Sequence, residues 1–158
     1  MRLETQLFLD ALAVIRGYAD WLLDEALLLT PLDGSPPRAP TAYGGRSTDD
    51  GPQVAGLLRE AARQCLTRAE GIERDLAAHD ALGATASVSS CMFSVDLYLS
   101  ENLPGIDRDT VPRLYSHLSP VYDRIERQFD LATEPPDDSK MHAYSHWLAT
   151  HPNPWNGG

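Results

Sequence analysis

Apolar residues recur every three or four positions from Leu3 to Thr30, the spacing that places them on one side of an α-helix. They form two adjacent stripes. The first stripe consists of Phe8, Leu12, Ile15, Ala19, Leu22, Ala26 and Leu29, and the second of Leu7, Ala11, Val14, Tyr18, Trp21 and Leu28. Because this apolar arc is wider than a simple surface helix needs, we expect a helix that is central to a bundle or shared with another subunit. Pro31 ends it.

Residues 31–52 have a different composition. Five prolines alternate with four glycines, and only Leu32 and Tyr43 could anchor the stretch. A connection of this length without a periodic pattern is usually a disordered linker or a functional loop. We predict a mobile loop after the first helix, with Tyr43 as its anchor.

Three more long helices are predicted from the same spacing. The second starts with Pro52 in its first turn, and Gly83 suits the left-handed residue that ends a helix. The third is predicted over Ala86–Asn102 and the fourth over Thr110–Ala132, where Pro120 should cause a kink or a break.

The chain is therefore predicted to be all-α. A short last helix is expected over Ser139–Thr150, followed by an irregular tail, residues 151–158. We interpret residues 1–158 as a single helical domain, an antiparallel four-helix bundle with an additional short C-terminal helix and a long Pro/Gly-rich loop after helix 1.

The net charge of the chain limits the kinds of molecule that it is expected to bind. The chain carries 13 Lys and Arg against 23 Asp and Glu, a formal net charge of −10, which argues against nucleic-acid binding because phosphate neutralisation needs a basic surface. The acidity indicates a solvated surface, a basic protein partner or, as a fainter option, a DNA-imitating inhibitor. On the second helix, opposite charges alternate at helical spacing, which is typical of a solvated face.

Cysteine use and hydropathy favour a cytoplasmic protein. Cys65 and Cys91 fall in helical patterns outside any CxxC motif, so buried free thiols are expected, with a disulfide between them as the alternative. The N-terminus lacks the pattern of a signal peptide, and no apolar run reaches the length of a membrane span. We expect no membrane association.

One pair of residues has metal-ligand spacing. His142 and His146 are four apart on the predicted last helix, and Asp138 lies one turn earlier, so the three could share a face. This pattern resembles helix-bundle metalloproteins of the DinB type, which implies a divalent metal and a third His, here His117 or His79. Two solvent-exposed His on a terminal helix is the alternative, in which case no cofactor is expected.

Other candidate nucleophiles are better explained by packing. Cys91 stands among Ser89, Ser90 and Ser94 but falls on the apolar stripe of its helix, and no general base or oxyanion hole is apparent. His79 has Asp75 and Asp80 nearby, yet a His near a helix C-terminus is also explained by the helix dipole.

Large apolar residues beyond the needs of a core indicate an interface. The candidates are Trp21, Leu28, Tyr43, Tyr144, Trp147 and Trp155. The C-terminal aromatics could instead pack the chain's own tail onto its bundle. We predict a non-enzymatic helical protein–protein interaction or regulatory protein, possibly homodimeric; the alternative is a DinB-like metal-binding enzyme or sensor.

Overall fold

The computed structural model describes residues 5–128 of the chain, and this part is helical without a strand. The helices are α1 (Thr5–Leu29), α2 (Gly51–Ala77), α3 (Ala81–Asn102) and α4 (Leu114–Arg127). Two short 3-10 helices, Thr41–Tyr43 and Thr48–Asp50, lie between α1 and α2. The all-helical prediction is confirmed. The predicted helix over residues 139–150 and the tail lie outside the described residues.

The four helices pack against one another around a single core. The most extensive contact joins α1 to α2, and α2–α3, α1–α4 and α3–α4 contacts complete the packing. The buried face of α2 is rich in small residues, Ala55, Ala61, Ala62, Cys65 and Ala69. Small side chains let neighbouring helices approach closely. Helix α1 supplies five of the eleven largest fully buried side chains in the described part of the chain, Phe8, Leu12, Ile15, Leu22 and Leu29, against two from α2.

Both predicted stripes of α1 are real. Every residue of the first stripe is buried. In the second stripe Leu7, Ala11 and Tyr18 are buried, whereas Val14 and Trp21 are partly buried. Leu28 is 46% exposed. The wide apolar arc is needed because α1 contacts both α2 and α4.

The junction between α2 and α3 corrects the sequence prediction for Gly83. The left-handed residue after α2 is His79, with φ of 57°, whereas Gly83 lies in the first turn of α3. Asp80 caps α3 by accepting a hydrogen bond from the Gly83 N–H at 2.8 Å. A Cβ at position 83 would collide with the Asp80 carboxylate. The glycine therefore makes room for the cap, and α3 starts at Ala81 rather than Ala86.

Helix α4 is shorter than predicted and does not break at Pro120, whereas the alternative of a kink there stays a prediction. It begins at Leu114, after a turn in which the Val111 N–H bonds the Asp107 carbonyl at 2.8 Å. The helix then continues through Pro120 to Arg127. Pro120 lies on the exposed side, where water can satisfy the carbonyl left without a donor, so the proline does not end the helix.

The connection after α1 is fixed at several points along its length. Its Tyr43 side chain is buried, which agrees with the predicted anchor, and the Ala42 carbonyl accepts a hydrogen bond from the Asp107 N–H at 2.8 Å. The backbones of Gly44 and Gly105 touch, and a Cβ on Gly105 would lie 2.9 Å from the Gly44 Cα. The connection thus packs on the segment between α3 and α4. Its mobility stays a prediction.

Glycine substitutions should change stability in opposite directions. A Cβ at Gly17, Gly56 or Gly71 would meet no atom within 4 Å, so each change to Ala should raise the free energy of unfolding by about 0.5–1 kcal/mol through helix propensity. Gly105→Ala should lower it by about 1–3 kcal/mol because its Cβ overlaps Gly44. Urea unfolding followed by circular dichroism measures each change; a stabilised Gly105→Ala would contradict the close approach.

Candidate interaction surface

Two of the predicted interface residues lie on the same side of α1. Trp21 is partly buried and its ring stacks on Tyr18, with the centroids 5.9 Å apart and the planes at 30°. Leu28 follows seven residues later and is 46% exposed. Each of them lines a separate apolar depression on the surface.

The first depression, which we name the α1–α4 groove, lies where α4 begins. It has a volume of about 320 Å³ and an almost wholly apolar lining, formed by Ala13, Val14, Gly17, Tyr18, Trp21, Pro112 and His117. The Tyr18 hydroxyl donates a hydrogen bond to the Pro112 carbonyl at 2.8 Å. The polar end of this side chain is therefore hydrogen-bonded within the protein. Gly17 keeps the groove open because it has no side chain.

The second depression, which we name the Leu28 depression, lies at the C-terminal end of α1. Its volume is about 370 Å³ and it is lined by Leu27, Leu28, Pro31, Leu32, Asp33, Ser35, Pro36 and Arg38. Leu32 is 89% exposed. The Arg38 N–H donates to the Leu28 carbonyl at 2.9 Å, and the Arg38 guanidinium pairs with Glu25 at 2.7 Å. The side of the depression that is formed by the loop is therefore attached to α1.

Acidic side chains border this side of α1. Asp20 and Asp24 are exposed, and within residues 5–128 neither is in an ion pair. Their negative charges stand beside the apolar depressions and are available to a basic partner.

The other predicted interface residues have different positions. Tyr43 is 2% exposed and its hydroxyl donates to Glu25 at 2.6 Å, so it holds the loop to α1. Burial and this hydrogen bond raise the pKa of Tyr43 above its usual range. Tyr144, Trp147 and Trp155 lie outside the described residues. Whether any of these four contributes to an interface stays a prediction.

The predicted metal site lies outside the described part of the chain, because His142, His146 and Asp138 all follow residue 128. Of the two candidates for a third ligand, His79 is exposed just after α2 and His117 lines the α1–α4 groove. Between residues 5 and 128 no three His, Cys, Asp or Glu side chains are grouped as metal ligands. The metal hypothesis therefore remains untested.

Sequence reasoning missed a partly buried polar network that positions α4. The Asp96 carboxylate accepts hydrogen bonds from the N–H groups of Leu114 and Tyr115, both at 2.9 Å. It thus supplies from α3 the cap that Arg113, the N-cap residue of α4, does not provide. Arg108 lies 3.8 Å from Asp96 and also bonds the Ser100 hydroxyl at 2.9 Å. The one signal in the sequence was the carboxylate of Asp96 between the apolar residues Val95 and Leu97 of α3.

The cysteines are free and fully buried. A hydrogen bond to Cys91, together with burial, raises the pKa of the Cys65 thiol. Both thiols are inaccessible to solvent, and an inaccessible thiol is a poor nucleophile, so packing explains both cysteines.

No helix within residues 5–128 combines the length and the apolar character needed to cross a membrane. Comparison of the chain with protein-family models, with curated proteins and with solved structures finds no match. The function must therefore be inferred from the surface itself.

Loss of the Asp96 carboxylate should destabilise the fold. Asp96→Ala removes the acceptor of the Leu114 and Tyr115 N–H groups and leaves Arg108 without its counter-charge, so the free energy of unfolding should fall by about 1–3 kcal/mol. Asp109→Ala, at an exposed position between α3 and α4, should change it by less than about 0.5 kcal/mol. Chemical unfolding of both variants measures the difference; equal effects would show that Asp96 is not the anchor of α4.

The fold should weaken at alkaline pH. Burial raises the pKa of Tyr18, with the charge of Asp96 adding to the effect, and burial with the Glu25 hydrogen bond raises that of Tyr43. The free energy of unfolding should be unaffected by these groups below about pH 10 and fall above it, because the unfolded chain then releases protons that the folded chain retains. Urea unfolding at about pH 8 and about pH 10.5 tests this. The decline should be smaller in Tyr43→Phe, and an identical decline would contradict the assignment.

Proposed function

We propose that this chain is a non-enzymatic interaction protein that binds an amphipathic helix of a partner protein along α1. The observation that carries the proposal is the pair of apolar depressions at Trp21 and Leu28. Seven residues of α-helix span about 10.5 Å, which is the distance between side chains at positions i and i+7 of a bound helix. Two apolar anchors of one helical ligand could therefore occupy both depressions.

Charge favours a basic partner over a second copy of the chain. Asp20 and Asp24 border the apolar surface, and the whole chain has a formal net charge of −10. A helix with Lys or Arg beside its apolar face would be attracted, whereas two copies that meet through this face would bring like charges together. We therefore prefer a heteromeric complex to the homodimer.

We also infer that the four helices form an antiparallel bundle. Contacts between α1 and α2 support this arrangement: Arg59, in the first third of α2, bonds Thr30 just after α1, and Arg16, near the middle of α1, pairs with Glu73 late in α2. On the other side, Asp96, late in α3, caps the start of α4. In such a bundle α1 would present one continuous outer face to a helical ligand.

Filling the α1–α4 groove should abolish binding without harming the fold. Gly17→Leu adds a side chain where a Cβ meets open space, so the fold should be retained. The probe is a synthetic amphipathic peptide with leucines seven residues apart and lysines on the flanks. Isothermal titration calorimetry should show at least a tenfold loss of affinity relative to the unmodified chain.

Two controls make this experiment decisive. Gly56→Leu makes the same change at an exposed position of α2 outside the groove, and a peptide of the same composition with scrambled leucines lacks the spacing. Equal affinity of Gly17→Leu and Gly56→Leu for the probe would contradict the proposal. A dimer in sedimentation equilibrium that Gly17→Leu dissociates would replace the heteromeric partner with a second copy.

A further inference from the structure

A polar cleft between α2 and α3 lies on different helices from the α1–α4 groove. Its volume is about 390 Å³, and its lining residues are Arg63, Gln64, Thr67, Arg68, Gly71, Arg74 and Ser87. We name it the arginine cleft. A Cβ at Gly71 would meet nothing within 4 Å. Because glycine has no side chain, this position leaves open space in the cleft.

The charge of this cleft is opposite to that of the chain as a whole. Acidic residues outnumber basic ones by 23 to 13, yet three arginines are among the seven residues that line this one depression. Arg63 is paired with Glu60. Within residues 5–128, neither Arg68 nor Arg74 takes part in an ion pair, and no side chain there bonds either guanidinium.

The residue types match an oxyanion ligand. A guanidinium offers several N–H donors in a planar fork that fits the oxygens of phosphate, and the Thr67 hydroxyl and Gln64 amide, which also line the cleft, can donate further hydrogen bonds. The carboxylate of Asp75 accepts from the Ser87 hydroxyl at 3.4 Å. Its negative charge disfavours an anion beside Ser87, so the ligand should lie towards Arg68 and Thr67.

We propose that the arginine cleft binds a phosphate group, either as free phosphate or as the phosphate of a small monoester. Arg68 and Arg74 contact the phosphate oxygens, and Thr67 donates a hydrogen bond. Gly71 leaves the space that the group occupies.

Titration of the full chain with inorganic phosphate at low ionic strength, followed by NMR chemical shifts, tests the site. Saturable shifts at Thr67, Arg68 and Gly71 are expected. The double variant Arg68→Ala with Arg74→Ala should weaken phosphate binding at least tenfold. Gly71→Leu, which fills the cleft and leaves the charge unchanged, should weaken it to a similar extent.

The matched control is the double variant Arg46→Ala with Arg113→Ala. It removes the same charge from exposed positions outside the cleft, so phosphate affinity should change by less than about twofold. Equal losses in the two double variants would show diffuse electrostatic attraction and overturn the site, as would shifts that do not saturate. Gly17→Leu should leave phosphate binding unchanged, which separates this proposal from that for α1.

Ethyl phosphate distinguishes the two sources of the ligand. Binding of ethyl phosphate more tightly than inorganic phosphate supports a phosphorylated small molecule, and the reverse order supports free phosphate. Binding of neither would overturn the proposal.

Discussion

The close packing of α1 against the small side chains of α2 constrains the rest of the fold. Because alanines and Cys65 dominate the buried face of α2, α1 must supply much of the core volume with large residues on a wide arc. Helix α4 covers only part of that arc: it has 14 residues against 25 in α1 and begins near Tyr18. The apolar groove beside Trp21 exists because α4 starts where it does.

Polar contacts then determine where α4 starts. Asp96 fixes its first two amides from α3, and the Gly44–Gly105 contact holds the segment before α4 against the loop after α1. The same loop is attached to α1 through Tyr43 and Glu25. A few side-chain hydrogen bonds, each of modest net free energy, therefore shape both apolar depressions along α1.

Charge is distributed unevenly over this acidic chain. The outer side of α1 combines apolar depressions with Asp20 and Asp24, whereas the cleft between α2 and α3 gathers Arg63, Arg68 and Arg74. Surfaces of such different character suit ligands of different chemistry. A chain with both could bind a protein on one side and respond to a small anion on the other.

The sequence by itself determined the four helices that the structure describes, the buried face of α1 and the role of Tyr43 as the loop anchor. The hydrophobic spacing that predicts the helices is a local property of the chain. Only the tertiary structure decided the role of Gly83, which depends on room for Asp80, and the continuity of α4 at Pro120, which depends on exposure. The mixed charges of α2 are typical of a solvated face, and they line a cleft only because α3 lies beside them. Helix caps such as Asp96 and clefts such as that between α2 and α3 depend on contacts between residues that are distant in sequence. The periodicity of apolar residues does not reveal such contacts.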